Sequence, residues 1–282
     1  MSDDLGLPFA AIASWFPTEP RPPHVFIRVT MAQAKAWPAT LGLALRRCYL
    51  SDSIVDAKAK EHMLPHTTVI AAGLPDQGST MAGDFGEILV YFYQGAGVLP
   101  NTAIGLKKWR LKQDRTKPAP YSDVVHLVLP SWPTASANDA ILCSEVKTKS
   151  TRAYSEPIKS SIEDCEKDRT SRLGNTLLWL RDRAITGSAE GASIDQLNRF
   201  IETAGLPQAA RQFQAVSVIC ESLVTAELLA APTQASPHYT LVVIAVPDLK
   251  NTYMAVFAEA KNAVPSAALT APGGKTDLSA GP

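Results

Sequence analysis

The sequence predicts an α/β fold, a central mixed sheet flanked by helices, with an accessory lobe at the N-terminal end. Two patterns carry that expectation. Apolar runs of strand length stand at 25–30, 123–129, 140–147 and 239–246, and segments with apolar residues at helical spacing lie between them, at 31–47 and 156–183. Size agrees: 282 residues, 46% hydrophobic and 19% charged, suit one large domain or a core domain plus a lobe.

Taken in order, residues 1–24 are Pro-rich and loop-like, ending at Pro22-Pro23. VFIRVT (25–30) alternates apolar and polar residues, as a half-buried strand does. A helix follows over 31–47, where Pro38 is expected to kink or break it, because its ring removes a donor and crowds the preceding turn. The stretch holding His62, Leu64, Pro65 and His66 matches no element. GLPDQG (73–78) reads as a turn and separates a lobe over 1–76 from a core domain over 77–262. Within that domain, DFGEILVYFYQ (84–94) is a short apolar helix and IGLKKWRLK (104–112) a basic strand. DVVHLVL (123–129) and AILCSEVK (140–147) are buried strands. The helix over 156–183 alternates charges around an apolar stripe of Leu173, Leu177 and Leu180, and its polar face, with Lys159 and Arg169, is read as solvated. A weak strand signal at 214–219 precedes a firm one at 239–246. From 263 to 282 small residues, Pro and Gly dominate; so little apolar surface predicts a flexible tail.

Composition excludes several classes. With 27 basic and 27 acidic residues the chain is no polycation. Its longest apolar runs, such as the one at 241–246, are far too short to cross a bilayer, and Met1-Ser2-Asp3-Asp4 lacks the basic and apolar regions of a secretory signal. Cys48, Cys143, Cys165 and Cys220 are scattered without CxxC or zinc-ligand spacing, as free thiols in a reducing cytoplasm are. Gly273-Gly274-Lys275-Thr276 follows no strand, so no phosphate loop is present and any energy from ATP must come from a partner. These readings together predict a cytoplasmic protein with no membrane partner.

One set of residues carries chemistry. Asp123 opens an apolar strand, where a carboxylate has no packing use. Glu145 and Lys147 stand two apart near the end of the next strand, so both side chains face one way while Val146 faces the other. If these strands are neighbours, Asp123 and Glu145 can share one cation, with Glu87 approaching from the preceding helix. Hydrolysis of a phosphodiester needs such a set: carboxylates for a hard cation, and a lysine to orient water or stabilise developing charge. The run KKWRLKQDRTK (107–117) has six basic residues against one acidic and stands just ahead of Asp123. Its Lys107, Lys108, Arg110 and Lys112 are the candidate phosphate contacts. His126 and Cys143 read as core residues, and Trp109 and Trp179 as packing residues.

The order helix-Glu, strand, strand-Asp, strand-ExK resembles the PD-(D/E)xK, or restriction-endonuclease-like, superfamily. GDFGEILVYFYQ (83–94), LPNTAIGLKKWRLKQ (99–113), YSDVVHLVL (121–129) and CSEVKTKS (143–150) are similar to the HamA family, nuclease subunits of the Hachiman anti-phage defence system. The resemblance covers residues 80 to 185, and reaches about 250 if the strand at 239 belongs to the same domain. It implies a restriction-endonuclease-like core, a catalytic set of Glu87, Asp123, Glu145 and Lys147, and Mg2+ or Mn2+ held by Glu87, Asp123 and Glu145. It also implies DNA as substrate and a HamB-like helicase as partner. The Pro of the superfamily motif is absent, since Tyr121-Ser122 precedes Asp123. Two alternatives stay open: an inactive scaffold or regulatory subunit that keeps the fold, and a restriction- or resolvase-like endonuclease working alone.

Overall fold

A computed structural model describes residues 4–99, 103–152, 154–187 and 191–265. Seven strands form one mixed sheet in the order β1-β2-β7-β6-β5-β4-β3. They are β1 (Thr18–Arg21), β2 (His24–Arg28), β3 (Ala103–Gly105), β4 (Val124–Val128), β5 (Ala140–Lys149), β6 (Ala210–Cys220) and β7 (Thr240–Val246). The four from β2 to β5 in this order run parallel to their neighbours, and β1, β4 and β3 join antiparallel at the two edges. The α/β class with a helix-flanked mixed sheet is therefore as the sequence predicts. Parallel strands are covered on both faces, and β7 shows why its sequence is almost wholly apolar. Val242, Ile244 and Val246 enter the core on one face, while Leu241, Val243 and Ala245 enter the core on the other.

The first face is covered by α2 (Met31–Tyr49), α5 (Ser79–Gly97) and α10 (Leu249–Asn262), and the second by α6 (Pro157–Lys167), α7 (Leu173–Ile185), α8 (Ile194–Ile201) and α9 (Glu221–Leu228). The short helices α1 (Phe9–Ala13), α3 (Asp52–His62) and α4 (His66–Gly73) complete the N-terminal third. The stretch around His62 that matched no element is thus the junction of two helices, with Met63 in the left-handed conformation between them. Pro38 does not break α2, which runs on to Tyr49. Thr30 caps its first turn by accepting from the Gln33 amide at 3.1 Å, and Trp37 beside the proline is wholly buried, between the rings of Trp15 and Phe85. A proline in a helix interior costs about 3 kcal/mol. Buried side chains of this size recover about 1.5–3 kcal/mol each, so tertiary packing wins.

Three expectations are corrected. The turn at 73–78 does not divide the fold: β2 pairs with β7, and one core cluster runs from Leu5 through Trp37 and Phe85 to Ala260. No separate lobe over 1–76 results, because the first strands are part of the one sheet. The basic strand expected at 104–112 is a strand only as far as Gly105, and a 3-10 turn occupies Lys108–Leu111. The helix expected at 84–94 extends over 79–97. The tail expected over 263–282 lies, from 266 on, outside the described residues.

Candidate active site

The centre forms where α5, the 3-10 turn, the start of β4 and the end of β5 meet. Helix α5 can press onto β5 because residue 86 is glycine: a Cβ there would collide with the Thr148 side chain. The close crossing carries Glu87 to the strand ends, where it is 5% exposed. Its Oε2 accepts from the Trp109 indole at 3.0 Å and lies 3.5 Å from the Lys108 ammonium. Lys108 also donates to Asp123 Oδ1 at 3.2 Å, and the Val146 amide donates to Asp123 Oδ2 at 2.9 Å. In the antiparallel β4–β5 pair Val124 stands opposite Ser144 and Val125 opposite Cys143. Asp123, one residue ahead of this ladder, lies close enough to Glu145 for its charge to act on that carboxyl.

Glu145 is 1% exposed and is held from two sides. Lys147 donates to its Oε1 at 2.7 Å, and Arg172 donates to its Oε2 at 3.3 Å. Lys147 also pairs with Asp164 at 2.6 Å and keeps 30% of its side chain open to solvent, so it forms the accessible rim of the cluster. Arg172 reaches Asp168 at 3.1 Å and the Asp164 carbonyl at 2.7 Å. Asp168 and Arg172 bound a π-turn between α6 and α7, a local widening common at functional sites. Buried Asp168 accepts from Ser122 Oγ at 2.9 Å, and Thr176 donates to that same hydroxyl, so the residue ahead of Asp123 is tied to α7.

The electrostatics follow from this crowding. Burial, and then the charge of Asp123, push the Glu145 carboxyl up to about 9 against the pull of Lys147. Burial likewise raises Glu87 to about 8, opposed by Lys108 and reinforced by Asp123 and Asp84. Burial alone would lower Lys108 and Lys147, but the surrounding carboxylates outweigh it and raise both. Carboxylates in excess of cations in a dry site are what a bound cation relieves. The donor set, carboxylate oxygen throughout, fits a hard divalent ion. Among the described residues no three His, Cys, Asp or Glu side chains converge to cage a metal. The fit is to the open kind of site that Mg2+ uses, with one or two carboxylates and retained waters, and Asp123 with Glu145 is the pair that could supply it.

The four sequence-predicted catalytic residues therefore come together, in two linked groups: Glu87 and Asp123 through Lys108, and Asp123, Glu145 and Lys147 along the strand ends. The four basic residues expected to meet DNA do not form an outward face. Lys107 pairs with Asp4 at 2.7 Å, and Arg110 with Asp4 at 2.9 Å and with the Arg47 carbonyl. Lys112 pairs with buried Asp84 at 2.6 Å, and Lys108 lies inside the centre. A strand would have turned alternate residues outward; the 3-10 turn rolls them all toward carboxylates. Sequence reasoning missed Asp164, Asp168 and Arg172 by reading their helix face as solvated. Their spacing of four puts them on one helix face, which was the available signal. His126 is a core residue as read, but only half satisfied: its Nδ1 lies 2.7 Å from Gln94 Oε1, its Nε2 is buried without a partner, and burial pushes its titration down to about 3. Cys143 is buried among apolar side chains.

Fold and site define the class: an α/β protein with a buried carboxylate–lysine centre at the ends of two antiparallel neighbours on a mixed sheet. The chain belongs to the HamA family, whose model matches residues 27–260. No curated protein matches it. Membership suggests a role in anti-phage defence. Among the described residues no helix is long and apolar enough to cross a membrane.

Proposed function

We propose that this protein is a Mg2+-dependent deoxyribonuclease, the effector subunit of an anti-phage complex acting with a HamB-like helicase in the cytoplasm. The observation that carries the reading is Glu145, 1% exposed, under the charge of Asp123, which the Val146 amide holds beside the end of β5, with the Lys147 ammonium 2.7 Å away. Asp123 and Glu145 would hold Mg2+, or Mn2+ in its place, which when bound supplies an activated water and a polarised phosphoryl oxygen. Lys147, at the open rim, meets the phosphate and stabilises charge that develops on it. Arg172 fixes the Glu145 headgroup from the π-turn, and the Val146 amide fixes Asp123, so both carboxylates are oriented before substrate arrives. Glu87, seated on Trp109 and Lys108, sets the field behind Asp123.

The test is cleavage of linear and circular DNA by the full chain, with and without a co-purified helicase and ATP. Cleavage should need Mg2+ or Mn2+, stop with a chelator, and be lost in Asp123→Asn. A wild-type chain that binds the helicase yet never cuts, in any of these conditions, would favour the inactive scaffold. Full cleavage without partner or ATP would favour an endonuclease working alone.

A further inference from the structure

Lysine is almost never fully buried unless it is paired, because its ammonium loses its hydration. Lys108 is 2% exposed, and its Nζ lies 3.2 Å from Asp123 Oδ1 and 3.5 Å from Glu87 Oε2. It is no surface lysine that has folded inward by chance. The 3-10 turn that carries it is pinned on both sides: Lys107 and Arg110 to Asp4, Arg110 also to the Arg47 carbonyl, and Lys112 to buried Asp84. The basic run is thus a clamp that places the Lys108 charge between two of the carboxylates.

We infer that the Lys108 ammonium is a built-in cation of the centre. It fills the position between Glu87 and Asp123, so that the site takes a single divalent ion, on Asp123 and Glu145, and Glu87 is not a ligand. The inference rests on the metal-dependent reading above and deepens it. Two like charges repel strongly at a few ångström in a water-poor site, so a second divalent ion cannot share the space that Lys108 holds. Glu87 Oε2 accepts from the Trp109 indole at 3.0 Å and faces the Lys108 ammonium at 3.5 Å, so the positive charge beside Glu87 is already the lysine's. A third carboxylate, Asp168, does stand beside Glu145, but it belongs to the π-turn side of the centre, where Arg172 pairs with it at 3.1 Å, and not to the Glu87 side that Lys108 occupies. Lys108 is a positioning residue on this account: it neutralises Glu87 and holds Asp123 Oδ1 in place.

The experiment counts Mn2+ bound to the full chain by titration calorimetry and electron paramagnetic resonance. The wild type should bind one equivalent. Glu87→Gln should still bind one with little change in affinity, whereas Asp123→Asn should weaken it by about tenfold or more. Lys108→Met should gain a second equivalent, which Glu87→Gln in the same chain removes. Two equivalents on the wild type, or loss of the ion in Glu87→Gln, would overturn the inference and leave the metal-dependent reading standing. No binding to the folded wild type would overturn both. If Lys108→Met fails to fold, the wild-type count and Glu87→Gln decide the matter between them.

Discussion

At the scale of single residues, Glu145 shows what the centre costs the fold. Its carboxyl stands near 9 in the folded chain against an ordinary value of 4.5, pushed by burial and by Asp123. The folded state therefore holds the Glu145 proton to higher pH than the unfolded state does. Stability then falls as pH rises between those two values, because ionising the buried acid is penalised only in the fold. In chelator, the wild type should lose stability relative to Glu145→Gln as pH rises from about 5 to 9. Urea melts of both proteins at stepped pH check this, and parallel curves would contradict it. The Asp164 carboxyl behaves oppositely: burial raises it, yet the hydrogen bonds and charges of Lys147 and Lys167 outweigh that and hold it at about 2. One lysine, Lys147, thus sits between an acid that resists ionising and one that ionises readily, which keeps its ammonium charged and aimed at the rim.

At the scale of elements, the crossing of α5 on β5 sets the centre, and glycine sets the crossing. Gly86 faces Thr148 with no room for a Cβ, whereas a Cβ at Gly83 in the same helix meets nothing within 4 Å. Gly86→Ala should destabilise the protein by about 1–3 kcal/mol through forced separation of helix and strand. Gly83→Ala should stabilise it by about 1 kcal/mol through helix propensity alone. Thermal or urea unfolding of the two variants reads the contrast; equal effects would mean that the crossing is loose. These elements were legible to different depths. The strands at 123–129 and 140–147 and the leucine stripe of α7 declare themselves by period, because each buries a whole face against a partner. The 3-10 turn at Lys108–Leu111 does not: its basic residues find their carboxylates in Asp4, Asp84, Glu87 and Asp123, all distant in sequence. Charge runs are read as solvated faces by default, and only tertiary pairing reverses that reading. The same default hid Asp164, Asp168 and Arg172.

At the scale of the whole molecule, the chain builds one sheet from both ends of the sequence. Strand β2 pairs with β7, and α2 and α10 share the core that backs α5. The lobe expected over 1–76 followed from a turn at 73–78, a local signal. Parallel pairing between residues about two hundred positions apart leaves no local trace. A chain cut to 77–262 should therefore lose cooperative unfolding, since its α5 and β7 would expose apolar faces; a sharp, wild-type-like transition would contradict the single-sheet account. The centre itself was legible because its four residues are placed by strand alternation and one helix, while what orients them was not. The most direct measurement is the rate of DNA cleavage by Lys147→Ala beside the wild type, with Mg2+ and under whatever partner and ATP conditions activate the wild type. Lys147 packs against no core, so the fold and the partner complex should persist, while the rate should fall by roughly a hundredfold or more. Excess metal cannot restore a missing ammonium, so titrating Mg2+ should not recover it. Cleavage by Lys147→Ala at the wild-type rate would contradict the assignment of this centre.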